Sequence, residues 1–161
     1  MHHLKEMGRR DSYDLVYSLG NSLAHLPGRE DAAGLIAGCH SILKPGGVLI
    51  VQIVNFDRVI SKKIKELPVI SREEAGITFI RKYEYPAGDQ IMVNFVSELI
   101  VNKGGKTESI INSLPLIPLK SGELEAFFEA VFFKEIALFG DFSGSAFVAD
   151  SPATIICGRR H

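Results

Sequence analysis

The sequence predicts one domain of the α/β class with an antiparallel β insertion, and three observations support this prediction. A strand pattern, a helix pattern and an apolar strand pattern follow one another near the N-terminus. Three extended stretches with hairpin-type separators occupy the middle, and a helix pattern and two strand patterns close the chain. We therefore expect residues 1–161 to form a single domain, with the β insertion at about 70–118.

The N-terminal part predicts a strand–helix–strand unit. Residues Tyr13–Leu19 are short, aromatic and β-branched, which is typical of a strand. Apolar residues at helical spacing predict a helix over Glu30–Leu43, which the breaker Lys44-Pro45-Gly46-Gly47 ends. The stretch Val48–Val54 is apolar almost throughout, so we expect a strand that is covered on both faces.

The middle of the chain predicts antiparallel strands. The extended stretches are Ile77–Tyr85, Gln90–Asn102 and Lys106–Leu114. Their separators, Pro86-Ala87-Gly88-Asp89 and Lys103-Gly104-Gly105, have the composition of hairpin turns. This part is short and α/β segments flank it, so it indicates an insertion and not a second domain.

The C-terminal part predicts one helix and two strands. Ser121–Ala130 is amphipathic and has acidic residues in its first turn, where they suit the helix dipole. Phe132–Gly140 and Ala153–Cys157 are the strand patterns, and a loop joins them.

The composition argues against several partner classes. There are 18 basic and 19 acidic residues, so the net charge is −1, which argues against a nucleic-acid or anionic-membrane surface. No apolar run reaches the length of a membrane span, and Gln52 interrupts the longest one. Cys39 and Cys157 have no metal-type spacing, so we expect free thiols in a cytoplasmic protein and no metal site.

Several strings resemble one family. They are Asp14-Leu15-Val16, Leu19-Gly20-Asn21-Ser22, Ala24-His25-Leu26-Pro27, Leu43-Lys44-Pro45-Gly46-Gly47, Asn55-Phe56-Asp57 and Gly140-Asp141-Phe142. Together they resemble the C-terminal portion of a class I S-adenosylmethionine-dependent methyltransferase, and are most like the glycine/sarcosine N-methyltransferase group. The resemblance implies a partial Rossmann-like mixed sheet with an antiparallel final strand. It also implies S-adenosylmethionine as cofactor and transfer of a methyl group to N or O of a small molecule.

The sequence departs from that family at its beginning. It contains no GxGxG motif and no strand ending in an acid that would hold the cofactor ribose. Met1 falls where the family has a methionine that reaches the adenine. We therefore expect a truncated methyltransferase without the N-terminal strands, which binds the cofactor poorly. Such a sheet has a bare edge and an uncovered face, so we expect a homodimer through that edge.

The resemblance implies a set of site residues. Asn21 and His25 are the candidate catalytic residues, while Asn55 and Arg81 are the candidate acceptor ligands, Arg81 through a substrate carboxylate. The candidate cofactor contacts are Met1, Leu19, Gly20, Asn21 and Ser22. Local chemistry leaves other interpretations open: a plain turn at Gly20-Asn21, a helix cap at Ser22, a surface histidine, and an asparagine that closes its own strand.

Two other functions remain open on the sequence alone. The chain could be a non-catalytic dimerisation or regulatory module derived from a methyltransferase. It could also be a small-ligand-binding α/β domain of another family. An antiparallel final strand would favour the methyltransferase architecture over the latter.

Overall fold

A computed structural model describes residues 10–86 and 92–161. Met1 and most of the Pro86-Ala87-Gly88-Asp89 separator lie outside the described residues, so these two predictions stay open. The chain divides into two compact units. One contains the described residues up to Ser61 together with Leu119–His161, and the other is Lys62–Pro118. The insertion thus begins earlier than the expected 70 and forms a compact unit of its own.

The first unit contains four strands and three α-helices. They are β1 (Tyr13–Ser18), α1 (Arg29–Ile42), β2 (Leu43–Val54), α2 (Phe56–Ser61), α3 (Ser121–Ala130), β7 (Lys134–Phe139) and β8 (Ala153–Arg159). A short 3-10 turn, Ser22–His25, lies between β1 and α1. None of the helices among the described residues is long and apolar enough to cross a membrane.

The sheet of this unit has the order β1-β2-β8-β7. β1 and β2 are parallel, as a helical crossover between them requires. β8 is antiparallel to both of its neighbours, β2 and β7. The predicted mixed sheet with an antiparallel final strand is therefore confirmed.

Only one face of this sheet is well buried. Leu49, Val51 and Ile53 of β2 are at most 2% exposed. On the same face, Gly158 of β8 lies so close to the Phe128 ring of α3 that a Cβ atom there would be 2.8 Å from the ring. The alternate residues of β2 are only half-buried, so the prediction of a strand covered on both faces is wrong. A strand with one well-buried face alternates in this way.

The uncovered face and the β1 edge coincide. Tyr17 pairs with Ile50, and Leu15 with Val48, so these residues share the less buried face. Tyr17 is 65% exposed, and β1 has a strand neighbour on one side only among the described residues. The bare edge and uncovered face expected from the sequence are thus present in the described part of the chain.

The second unit is a four-stranded antiparallel sheet. Its strands are β3 (Ile70–Arg72), β4 (Ile77–Glu84), β5 (Val93–Lys103) and β6 (Lys106–Leu116), in the order β3-β4-β5-β6. The three predicted strands are confirmed, and β3 is an addition that the sequence did not predict. Hydrogen bonds from Leu67 N to Arg81 O and from Tyr83 N to Lys65 O tie the preceding segment to β4.

Candidate functional site

The candidate site lies at the carboxyl edge of the first sheet, where the loops after β1, β2 and β7 meet. Ligands of open α/β sheets bind at this edge. The loop after β1 contains two successive left-handed residues, Gly20 with φ 68° and Asn21 with φ 67°. Glycine and asparagine tolerate this conformation better than other residues, which explains their presence here.

Two hydrogen bonds from β2 fix the loop. The backbone N–H of Gly20 donates to Oε1 of Gln52 at 2.7 Å. The backbone N–H of Val54 donates to Oδ1 of Asn21 at 2.5 Å. The turn after β1 is therefore held against β2 from both of its left-handed residues. This bonding fixes the predicted Gly20-Asn21 turn in one position relative to the strand ends.

Ser22 and His25 follow in the 3-10 turn. The hydroxyl of Ser22 donates to the carbonyl of Leu19 at 2.7 Å, so the side chain closes the turn and does not cap the helix through its oxygen. Leu23 and Ala24 are fully buried and anchor the turn, whereas His25 is exposed. The imidazole is therefore accessible to a solute.

Asn55 has a structural role that differs from its predicted one. Its side chain is 1% exposed. Nδ2 donates to the carbonyls of Ala149 and Ser151, each at 3.0 Å, and Oδ1 accepts from the backbone N–H of Arg58 at 3.1 Å. Because both amide groups already have backbone partners, we correct the predicted substrate contact: Asn55 holds the final loop against the end of β2.

Asp57 and Glu123 join α3 to this edge. Asp57 Oδ2 accepts from the N–H of Ser121, the first residue of α3, at 2.8 Å. Glu123 accepts from Arg29 at 2.6 Å and from the backbone of Lys120 at 2.9 Å. Burial alone raises the pKa of Glu123, but these bonds outweigh it and hold the pKa below its usual value.

The loop after β7 is organised by Asp141. Its Oδ1 accepts from the backbone N–H groups of Ser143 at 2.8 Å and Ser145 at 3.2 Å. Hydrogen bonds from Ser145 above all, with those from the backbone of Ser143 and Gly144, lower the pKa of Asp141. This carboxylate is therefore ionised at neutral pH and occupied by its own loop.

An apolar groove of about 360 Å³ lies on the less buried face of the sheet, next to this edge. Its lining consists of Tyr17, Leu19, Ile50, Phe139, Asp141, Phe142, Gly144 and Ile155. Leu19 thus belongs both to the predicted cofactor loop and to the groove. Phe142 is exposed despite its size, so the groove has an apolar rim.

Arg81 lies on β4 of the second unit. Its Nη2 donates to the carbonyl of Pro68 at 2.9 Å, and its guanidinium lies 5.7 Å from the centre of the Phe79 ring. Nε is buried without a hydrogen-bond partner. The guanidinium thus keeps donor capacity that a carboxylate could use.

The comparisons with known proteins agree with the topology. The chain is 24% identical over 136 residues to a glycine/sarcosine N-methyltransferase of Aphanothece halophytica, covering 83% of this chain and 46% of that protein. It superimposes on the CcbJ methyltransferase of Streptomyces caelestis with a TM-score of 0.72 and 18% identity, covering 96% of this chain and 63% of that one.

A third similar structure is CalS10 of Micromonospora echinaspora, an amino pentose methyltransferase with S-adenosylmethionine bound. Its TM-score is 0.65 at 16% identity, with 93% of this chain and 59% of that chain covered. No family model matches the sequence. The chain has the class I methyltransferase fold. It spans about half the length of the curated relative that it matches.

The described residues of this methyltransferase fold fit one end of the cofactor. A Cβ atom at Gly20 would have no neighbour within 4 Å, so the loop backbone is open to a ligand. Asp57 and Asp141, acids of this edge among the described residues, are occupied by backbone N–H groups. The methyl-donor end thus has an open loop, and the described edge provides no unoccupied carboxylate for the ribose. No group of three or more potential metal ligands occurs among the described residues.

Gln52 is the site residue that sequence reasoning missed. Its signal is visible in the sequence, since it is the polar residue that interrupts the apolar strand. A buried strand accepts such a residue when its side chain has a partner, which here is the N–H of Gly20. In the sequence, Asp141 stands out only as part of a family string, and its bonds to its own loop are visible only in the structure.

Proposed function

We propose that this chain forms the acceptor-side part of an S-adenosylmethionine-dependent methyltransferase that methylates N or O of a small molecule. The observation that carries the proposal is the open Gly20-Asn21 loop, which Gln52 and Val54 fix at the carboxyl edge of a methyltransferase-type sheet. The names of two relatives mention glycine or sarcosine and an amino pentose, which favours an amine as the acceptor.

The cofactor supplies a methyl carbon bonded to a sulfonium, which an amine or hydroxyl attacks in line. Leu19 and the backbone of Gly20 would contact the cofactor near that carbon, with Ser22 behind them. Asn21 uses Oδ1 for Val54, so its Nδ2 can orient the acceptor. Holding the two reactants in line supplies most of the catalysis in such a transfer.

An ammonium acceptor must lose a proton before it can attack. His25 is exposed four residues after Asn21, and a neutral imidazole can accept that proton at Nδ1 or Nε2. Arg81 remains our proposed ligand for an acceptor carboxylate, on the resemblance to glycine-type enzymes and on its spare donor capacity. Met1 remains a proposed adenine contact on the resemblance alone.

We propose further that the bare edge of β1 pairs with a strand of a second copy. Leu15 and Tyr17 are exposed there, and unpaired edge strands are templates for pairing. The free thiols of Cys39, which is buried, and Cys157, which is half-buried, suit a cytoplasmic location, which we also propose. Amide hydrogen exchange tests the edge: protection of β1 that rises with protein concentration supports pairing, and concentration-independent exchange contradicts it.

Calorimetric titration of S-adenosylhomocysteine into the chain, with the intact mass verified in the same sample, tests the function. We expect binding that Gly20→Ala weakens, because a Cβ atom strains the left-handed turn and enters the open space above it.

Gly46→Ala is the matched control. Gly46 also has a positive φ, 82°, a Cβ atom there would have no neighbour within 4 Å, and it lies at the other end of β2. We expect a comparable loss of stability and unchanged binding. Absence of binding to the wild-type chain would contradict the cofactor roles given above and favour a regulatory module. Binding of other small molecules in its place would favour a ligand-binding domain.

A further inference from the structure

The sheet of the second unit has one apolar face. The strand register places Ile70, Phe79, Leu99 and Ile110 in one cross-strand row, and Tyr83, Phe95 and Leu114 in another. Residues that are directly opposite in neighbouring strands project to the same side of a sheet. We call the surface formed by these seven residues the apolar face.

The opposite side of the same sheet is mainly polar. It carries Lys82, Glu84, Asn94, Glu98, Thr107, Ser109 and Ser113, by the same register. An antiparallel sheet with one apolar side normally packs that side against another layer. The elements described within this unit are strands and one 3-10 turn, so none of them is a helix that could provide the layer.

The apolar face is incompletely covered. Ile110 is 64% exposed, and Ile70 and Leu114 are exposed as well. Phe79, Leu99 and Phe95 between them are only half-buried. A contiguous apolar patch across four strands exceeds the scattered apolar residues of an ordinary surface and marks an interaction site.

The charges of this side are compatible with a copy of itself. Glu108, Lys103 and Lys106 lie at the hairpin end of β5 and β6, outside the two rows. Arg81 lies between the rows, and it already donates to the Pro68 carbonyl and lies along the Phe79 ring. Self-association would therefore bring apolar rows together and leave the charged end at the rim, as in known interfaces.

The area is also sufficient. Four strands at about 4.8 Å spacing and about eight residues at about 3.4 Å give roughly 500 Å² for each copy. Two copies would bury about 1,000 Å², the lower limit for a specific interface. We propose that the apolar face packs against the apolar face of a second copy, which gives a weak, concentration-dependent dimer. This contact is independent of the proposed methyltransferase function and of the β1 edge.

Two neighbouring isoleucines provide a matched test. Ile110 and Ile111 are 64% and 69% exposed on the same strand, but Ile110 is opposite Leu99 on the apolar face and Ile111 is opposite Glu98 on the other side. Light scattering after size exclusion, over a concentration series in the micromolar range, would measure the molar mass of the wild type, Ile110→Lys and Ile111→Lys.

We expect the Ile110→Lys dissociation constant to rise at least about tenfold, because each dimer loses two apolar contacts, and Ile111→Lys to match the wild type. Both positions are exposed in the single chain, so both variants should fold, which circular dichroism verifies. A wild type that stays monomeric over the series would overturn the proposal, and so would equal effects of the two variants. Tyr17→Lys separates this contact from the β1 edge: dissociation by that variant alone would also refute the apolar face.

Discussion

The hydrogen bond between Gly20 and Gln52 gives the sharpest test of how the site is held. Gln52→Met keeps the side-chain length and removes the acceptor, so the N–H of Gly20 loses its partner at 2.7 Å. A net hydrogen bond contributes about 1 kcal/mol, and Gln52 is half-buried, so we expect a loss of roughly that size in the free energy of unfolding. For a chain of this length, that lowers the Tm by about 2–4 °C.

The local consequence is larger than the global one. If opening of the turn becomes easier by about 1 kcal/mol, the amide of Gly20 exchanges with solvent about fivefold faster, since 1.4 kcal/mol corresponds to a factor of ten. Amide exchange followed by NMR measures this single group. Gln52→Glu is the control, because its carboxylate can still accept from Gly20. Unchanged exchange of Gly20 in Gln52→Met would refute the view that this side chain fixes the loop.

Three further outcomes follow from the packing and the titrating groups. The pKa of Glu123 is lowered in the folded chain, so its stabilising contribution is present above the pKa of the unfolded carboxyl and lost as pH falls through the folded one; the Tm difference between wild type and Glu123→Gln should therefore shrink in acid. Burial raises the pKa of the Cys39 thiol to about 11, and Cys157 is the less buried of the two thiols, so a thiol reagent should modify Cys157 first, and the reverse order would be contradictory. Gly158→Ala should cost about 1–3 kcal/mol in chemical denaturation, because its Cβ atom would meet a phenylalanine ring of α3, whereas Gly34→Ala in α1 has open space and should be neutral or stabilising.

The sequence predicts the first unit well wherever local pattern and packing agree. Ser121–Ala130 is found with the predicted bounds, and β1 and α1 differ from prediction by one residue at some ends. The start of β2 differs more, because Leu43 pairs with Tyr13 across the sheet. The Lys-Pro-Gly-Gly string resembles a helix stop, and only the long-range pairing shows that it continues as an irregular part of the strand.

Two other differences have local causes. The closing strand begins at Lys134 and not at Phe132, because Phe132 has a left-handed φ of 65° that a strand does not accept. β3 has three residues, which is too few for a recognisable alternation, and its existence depends on pairing with β4. Both depend on tertiary contacts that no short window of sequence contains.

The site was predictable as a place, but the roles within it were not. Parallel strands bring Gly20-Asn21 and Asn55 to one edge, which follows from the strand order alone. Whether an amide faces a ligand depends on its other partners, and the structure separates the two asparagines on that basis. Asn55 is buried with both ends bonded to backbone, whereas Asn21 keeps its Nδ2 and lies in a loop that is open to solutes. A substitution of Asn55 should therefore act through loop order and stability, while one of Asn21 should act on ligand affinity as well.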